Sequence, residues 1–245
     1  MKKILFIMLF VGFILQSPSQ TYADQKIPIL IYHSIDDFHG HGAIDLYVSP
    51  KNFEEQMTYL RNHGFTLLSF EQWKERSKVK KPIFITFDDG YKNNLNAFTI
   101  FQKLKSDRFK PIGTIFAISE FIGRTNRLSE TDLKKMVESG MFSIQSHTAT
   151  HPDLMKVKDY EYELKMSKEK IQQITGKPVI ALAYPYSLYN KKVVEETKKY
   201  YSFGLTTIPK LYTGQSIPNE LFLLPRIYIK YSTTLEEFAN IVEGR

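Results

Sequence analysis

The chain of 245 residues contains no cysteine, only one tryptophan and six histidines. Without cysteine there can be no disulfide framework, no cysteine-ligated zinc or iron–sulfur cluster and no thiol nucleophile. Glycine and proline number only 12 and 11, so the composition also excludes collagen-like and low-complexity chains. Any metal site in this protein must therefore use histidine and carboxylate ligands.

Long hydrophobic runs are also scarce, and the longest, Ile4–Leu15, covers only twelve residues. A helix needs roughly 20 apolar residues to span a bilayer. Two lysines precede the run and small residues follow it, which is typical of a secretory signal peptide cleaved after Ala23. We therefore predict a signal peptide over residues 1–23 and a secreted single domain over residues 24–245, with an uncleaved anchor as the alternative.

The net charge of +7 is not concentrated in one segment. Cleavage after Ala23 would remove Lys2 and Lys3 and leave a mature protein with a charge of +5. A basic exported protein is attracted to anionic polymers and lipid headgroups at the cell surface, whereas nucleic-acid binding usually requires a concentrated basic stripe. We expect a monomer that is secreted or retained at the cell surface and does not bind nucleic acid.

Apolar strand-like runs alternate with amphipathic helical segments along the chain. The predicted strands are Ile27–Ile35, Phe65–Ser69, Pro82–Asp88, Ile112–Ile118, Phe142–His147, Val179–Tyr184, Ser202–Thr206 and Leu224–Ile229. The first predicted helix begins at Ser49-Pro50. The other predicted helices are Asn94–Lys105, Ser129–Ser139, Lys158–Thr175, Asn190–Lys199 and Thr233–Val242. This order predicts an α/β fold, a single (β/α) barrel of seven or eight strands, with an open doubly wound sheet as the alternative.

Unusual polar residues stand at the ends of four predicted strands. They are His33, the Asp88–Asp89 pair, His147 and the segment Tyr184–Tyr186. In a barrel of this type, chemistry takes place at the carboxyl ends of the strands. We therefore expect these residues to meet at one mouth of the barrel.

Two carboxylates close the third predicted strand in the segment TFDDG. Asp88 and Asp89 can serve different purposes, one on a metal and one as a base, because successive side chains of a strand point to opposite faces. An ordinary Asp-Gly turn is the alternative.

Two histidines occur four residues apart in the segment HTATH. Pro152 disfavours helix at His151, so we expect His147 and His151 to span a turn that brings both imidazoles to one point. Together with Asp89 they would supply two nitrogens and one oxygen and leave positions open for water and substrate, as in catalytic sites. Chance spacing of two histidines is the alternative.

The segments TFDDG and SHTATHPDL resemble motifs of the polysaccharide deacetylases of carbohydrate esterase family four, and the similarity extends from about Ile29 to Ile229. The resemblance implies a distorted TIM-like barrel whose catalytic domain covers residues 24–245. It also implies that Asp88 is the general base, and that a divalent cation, zinc or else cobalt or nickel, is the cofactor. The ligands would be Asp89, His147 and His151.

The same resemblance implies that the backbone N–H of Tyr186 binds the oxyanion. Two features depart from the family pattern. Ala183 stands where an arginine usually braces the base, and no histidine follows His151 to act as the acid. The segment IPILIYHSI instead resembles the circularly permuted members that act on poly-β-1,6-N-acetylglucosamine, in which an N-terminal histidine supplies the acid. His33 matches that position. Arg226 is a candidate for the missing brace, although pairing with a surface acid is an alternative.

Other candidates are weaker. His39 and His41 lie in a glycine-rich segment that we expect to be a solvated loop, and His63 precedes Gly64 at a predicted helix end. Four aromatic residues are candidates for stacking on sugars, with ordinary core packing as the alternative: Trp73, Tyr91, Tyr184 and Tyr189.

The functional prediction is a secreted, metal-dependent N-deacetylase that acts on N-acetylglucosamine units of a cell-surface polysaccharide such as poly-β-1,6-N-acetylglucosamine, the material of biofilms. In that reaction Asp88, His33 and Tyr186 act as base, acid and oxyanion donor. Two alternatives remain open: an amidase or esterase on peptidoglycan or xylan, and a non-catalytic glycan-binding module. Retention of both a candidate acid and a candidate base disfavours the binding module, because binding alone needs neither.

Overall fold

The computed structural model describes residues 26–214 and 217–245. The predicted signal peptide, residues 1–23, lies outside the described residues. Within the described part of the chain, no helix is both long enough and apolar enough to cross a lipid bilayer.

A curled parallel sheet forms the centre of the molecule. The strands of the structure are β1 (Ile29–Tyr32), β2 (Ser34–Ile35), β3 (Tyr47–Val48), β4 (Thr66–Leu67), β5 (Pro82–Asp89), β6 (Gly113–Ala117), β7 (Phe142–Ser146), β8 (Ala181–Ala183), β9 (Phe203–Leu205) and β10 (Ile227–Tyr228). In the central sheet they run in the order β10-β1-β5-β6-β7-β8-β9, and β4 pairs with the first two residues of β5. A separate pair is formed by β2 and β3.

The last strand connects the two edges of the sheet. The N–H of Leu224 donates to the carbonyl of Gly204 at 2.9 Å, and the N–H of Thr206 donates to the carbonyl of Leu224 at the same distance. A few residues later, Ile227 in β10 pairs with Leu30 in β1. The prediction of an α/β barrel with seven or eight strands is confirmed, and the first and last strands are neighbours.

Six α-helices surround the sheet within the described residues. They are α1 (Pro50–Asn62), α2 (Asn94–Leu104), α3 (Glu130–Glu138), α4 (Ser167–Thr175), α5 (Lys191–Lys198) and α6 (Leu235–Glu243). The start of α1 follows the predicted signal, because Ser49 accepts a hydrogen bond from the N–H of Asn52 and Pro50 occupies the first turn. Capping boxes begin α3 and α6 in the same way.

The alternation of side chains along β5 explains how the barrel positions its polar residues. Ile83, Ile85 and Phe87 pack in the larger apolar cluster together with residues of the helices. Phe84 belongs to the second cluster, which contains residues from several strands and fills the barrel interior. Asp88 lies two pleats beyond Phe84 on the same face, so its carboxylate points into the barrel mouth.

Two predicted elements differ from the structure. The predicted strand Ile27–Ile35 is interrupted at His33, because Ser34 and Ile35 leave the central sheet and pair with β3. The predicted helix Lys158–Thr175 begins with a π-helical segment, Glu161–Met166, before α4. The first difference lies at His33, and the second lies beside the turn that leads to His151.

Candidate active site

Asp88 and Asp89 end β5 in different environments. Asp88 is buried, whereas Asp89 is partly exposed. Asp89 has a φ of 69° and Gly90 a φ of 65°, so the chain turns sharply through the left-handed region directly after the strand. The turn keeps the second carboxylate at the mouth instead of carrying it away along the strand direction.

Arg226 binds both oxygens of Asp88. Its Nη1 donates to Oδ1 at 2.6 Å and its Nη2 donates to Oδ2 at 2.7 Å, while Nε donates to the carbonyl of Thr206 at 3.0 Å. Nη1 also donates to the hydroxyl of Thr86 at 3.1 Å. Both side chains of the pair are almost completely buried, so the fork holds the carboxylate in a single orientation.

This pairing determines the ionisation of Asp88. Burial by itself raises the pKa of the carboxyl group, but the charges of Arg226 and His147 and the hydrogen bonds from Arg226 outweigh that effect. The net pKa lies well below the ordinary value. Asp88 is therefore an anion throughout the physiological pH range, and it is a proton acceptor rather than a donor.

Asp89, His147 and His151 converge in front of Asp88. The two Nε2 atoms of the histidines are 3.2 Å apart, and Oδ1 of Asp89 lies 3.6 Å from Nε2 of His147 and 3.7 Å from Nε2 of His151. Oδ2 of Asp88 lies 3.7 Å from Nε2 of His147. One ligand atom from each of the three residues falls within 4.8 Å of the others, which is compact enough for a single cation.

The donor chemistry of this cluster fits a divalent metal. Nδ1 of His147 lies 2.8 Å from the carbonyl of Ala183, so the proton resides on Nδ1 and the lone pair on Nε2 faces the cluster. Burial, with a contribution from the charge of His147, lowers the pKa of His151 to about 4, so its imidazole is neutral at pH 7. Two imidazoles and one carboxylate are a ligand set that zinc accepts, with coordination positions left for other groups.

His33 lies at the end of β1, beside these residues. Tyr32 pairs with Phe87, so His33 and Asp88 are each the next residue on neighbouring strands. Nδ1 of His33 is buried and has no hydrogen-bond partner among the described residues. Burial lowers the pKa of the imidazole below its ordinary value, and the charges of Asp88 and Asp89 offset only part of that effect.

Tyr186 lies against the histidine pair. Its ring packs edge-on against His151 with the centroids 4.5 Å apart, and the residue is 66% exposed. Its backbone has a φ of 56° and the next residue, Ser187, has a φ of 57°. These dihedrals are costly for residues with side chains, and such backbone strain is concentrated at functional sites.

The comparisons with known proteins agree with this arrangement. Residues 75–204 match the family model described as polysaccharide deacetylase, which covers more than half of the chain. The chain belongs to the polysaccharide deacetylase family. The matched range contains Asp88, Asp89, His147, His151 and Tyr186, whereas His33 and Arg226 lie outside it.

Relatives of this deacetylase extend the similarity over most of the chain. YxkH of Bacillus subtilis (strain 168), whose name places it in this family without specifying a glycan, is 30% identical over 92% of this chain and 79% of its own length. The poly-β-1,6-N-acetyl-D-glucosamine N-deacetylase of Staphylococcus epidermidis (strain RP62A) is 28% identical over 81% of this chain and 74% of its own. The crystal structure of a polysaccharide deacetylase from Bacillus cereus is 54% identical, has a TM-score of 0.88, and covers 89% of this chain and 69% of that one.

Sequence reasoning missed Glu163, which holds the turn that carries His151. Oε2 of this buried carboxylate accepts hydrogen bonds from the N–H groups of Ala149 and Thr150 at 3.0 and 2.9 Å, and Oε1 accepts one from the hydroxyl of Thr150 at 2.6 Å. The hydroxyl of Thr148 accepts from the N–H of His151 at 2.9 Å. The available signal was the position of Glu163 in the predicted helix, three residues after Tyr160 and directly before Leu164, where an apolar residue is expected.

The weaker candidates lie outside the cluster. His39 and His41 are exposed in the loop before β3, and His63 is the C-cap residue of α1, as expected. Trp73 is buried in the barrel interior and Tyr184 is only 1% exposed, so neither offers a ring face to a sugar. Tyr91 and Tyr189 are partly exposed.

Proposed function

We propose that this polysaccharide deacetylase is a secreted, metal-dependent enzyme that removes acetyl groups from N-acetylglucosamine units of poly-β-1,6-N-acetylglucosamine. The observation that carries the proposal is the position of Asp88. Its carboxylate is clamped by Arg226 on one side and lies 3.7 Å from Nε2 of His147 on the other. A glycan-binding module needs no anion fixed in this way beside a candidate metal site.

Asp89, His147 and His151 are the residues that would hold the cation. When bound there, a divalent cation supplies Lewis-acid polarisation of the acetamide carbonyl and lowers the pKa of a nearby water. Asp88 accepts a proton from the attacking water while Arg226 keeps its carboxylate aligned. The water oxygen adds to the carbonyl carbon, and the backbone N–H of Tyr186 stabilises the resulting oxyanion.

His33 is then placed to protonate the glucosamine nitrogen as the C–N bond breaks and acetate leaves. The proton that Asp88 accepted neutralises its carboxylate, whose charge had raised the pKa of His33. Protonated His33 therefore becomes a stronger acid at this point of the reaction. Each turnover leaves a free amine on the polymer. The amine is protonated at neutral pH and adds a positive charge to the polysaccharide.

The choice of glycan is supported by the Staphylococcus epidermidis relative, which is named for the β-1,6-linked polymer. The position of His33 directly after β1, which pairs with β10, also matches the circularly permuted pattern of that subgroup. The predicted signal peptide supports export. The excess of basic residues favours retention at an anionic cell surface.

The decisive experiment compares acetate release from β-1,6-linked and β-1,4-linked N-acetylglucosamine pentamers. Protein treated with a chelator should release no acetate, and added zinc, cobalt or nickel should restore release. The restored rate should be higher on the β-1,6-linked pentamer than on the β-1,4-linked one. Preference for the β-1,4 linkage would move the assignment to peptidoglycan-like or chitin-like glycans. Undiminished activity in verified metal-free protein would reject metal dependence.

A further inference from the structure

A cavity of about 460 Å³ lies between the β2–β3 pair and the start of α2. It has the size of a small-ligand pocket. The proposed reaction assigns it no role. Its lining includes Ser34, Asp36, Tyr47, Tyr91, Asn93 and Asn96.

The cavity adjoins the candidate metal cluster through two residues. Tyr91 follows Asp89 by two residues, and Ser34 directly follows His33. The guanidinium of Arg127 lies 4.0 Å from the ring centroid of Tyr91 and holds that ring in place. A polymer whose acetamide reaches the cluster therefore has an adjoining unit within reach of this cavity.

Most of the lining side chains carry hydrogen-bonding groups. Oδ2 of Asp36 accepts from Nδ2 of Asn93 at 3.4 Å, and Asp36 forms no ion pair with a cation in the described part of the chain. Lys92, which also lines the cavity, is paired with Asp132. The carboxylate of Asp36 thus keeps accepting capacity for a ligand.

Two aromatic residues, Tyr47 and Tyr91, line the cavity. The ring of Tyr47 is supported from outside the lining by Phe38, which packs against it edge to face with the centroids 5.3 Å apart. A carboxylate, amides and hydroxyls next to aromatic rings can bind both the hydroxyl groups and the apolar face of a pyranose.

We propose that this cavity is a subsite for the saccharide unit next to the one that is deacetylated, with Asp36 binding its hydroxyl groups. The inference rests on the proposed function and adds a determinant of oligomer binding to it. It makes affinity depend on chain length, because none of the three candidate metal ligands lines the cavity and a second saccharide unit is therefore needed to occupy it.

The test measures binding of β-1,6-linked N-acetylglucosamine pentamer and of the monosaccharide by calorimetry, in an Asp88→Asn background that does not consume them. Asp36→Ala should weaken pentamer binding roughly tenfold, the size of a lost hydrogen bond to a charged group, and should weaken monosaccharide binding much less. Tyr47→Ala should act in the same direction. The matched control is Asp37→Ala, which removes the same charge from the exposed neighbour that does not line the cavity.

Equal losses for pentamer and monosaccharide would overturn the subsite, as would identical behaviour of Asp36→Ala and Asp37→Ala. Pentamer binding no tighter than that of the monosaccharide would also overturn it. The proposed function fails by a different observation, the absence of acetate release by the unmodified protein, so the two failures are distinguishable. Circular dichroism of each variant establishes that it is folded.

Discussion

Arg226 illustrates how one residue can take over a position that the family pattern gives to another. The resemblance places a bracing arginine at residue 183, where this chain has a buried alanine. Arg226 lies directly before β10 and donates to both oxygens of Asp88. Ala183 keeps a different role, because its carbonyl accepts from His147 and fixes the tautomer of that imidazole.

Replacing Arg226 with lysine should lower turnover by roughly 10- to 100-fold, because an ammonium cannot reproduce the two parallel hydrogen bonds and a small displacement of a base is costly. Bound zinc, measured by elemental analysis, should stay equimolar. Arg76→Lys is the control, since Arg76 packs on Trp73 in the second apolar cluster and touches none of the site residues. Unchanged turnover in a folded Arg226→Lys protein would reject the bracing role.

At the residue level, the sequence predicted the positions that belong to local motifs. Asp88, Asp89, His147 and His151 could be recognised because each pair is close in sequence and follows an apolar strand. The partner of Asp88 could only be suggested, since residues 88 and 226 meet through barrel closure. Glu163 was missed because its function depends on the shape of a turn that the sequence does not specify.

Among the elements, the turn that carries His151 is the one whose shape depends most on other parts of the chain. Thr148 and His151 both have positive φ, at 68° and 64°. The π-helical segment Glu161–Met166 brings the carboxylate of Glu163 under this turn, where it accepts from two backbone N–H groups. π-Helical segments are frequent at functional sites, and here one compensates for backbone strain.

Glu163→Gln should therefore weaken zinc binding by about 10- to 100-fold, as is usual when a partner that orients a metal ligand is changed. Competition with a chromophoric chelator gives the dissociation constant. The control is Glu161→Gln, on the same segment, where the side chain is exposed and pairs only with Lys165 among the described residues. If both variants bound zinc like the unmodified protein, the turn would be held by other interactions.

The elements themselves were predictable from periodicity and capping signals. Ser49-Pro50 indicated α1, and the continuously apolar runs indicated buried parallel strands. The break at His33 was not predictable, because Ile27–Ile35 is apolar on both sides of it. Pairing of β2 with β3 depends on residues 47 and 48, a run too short to predict a strand by itself.

At the scale of the whole molecule, closure of the barrel decides which residues become neighbours. Because β10 pairs with β1, a histidine directly after the first strand and an arginine just before the last strand reach the same mouth as the β5 carboxylates. The family resemblance predicted this closure, whereas composition and periodicity left an open sheet as an alternative. The cavity between the β2–β3 pair and the start of α2 depends on the loops that arrange these elements, and loop shape is what the sequence specifies least.

The most direct test of the account is acetate release by Asp88→Asn from the β-1,6-linked pentamer, with zinc content measured on the same sample. The substitution preserves size and leaves Asp89, His147 and His151 in place, so bound zinc should be unchanged while turnover falls at least about 100-fold, the usual contribution of a general base. Turnover equal to that of the unmodified protein, at equal zinc content, would contradict the assignment of Asp88 and the mechanism built on it.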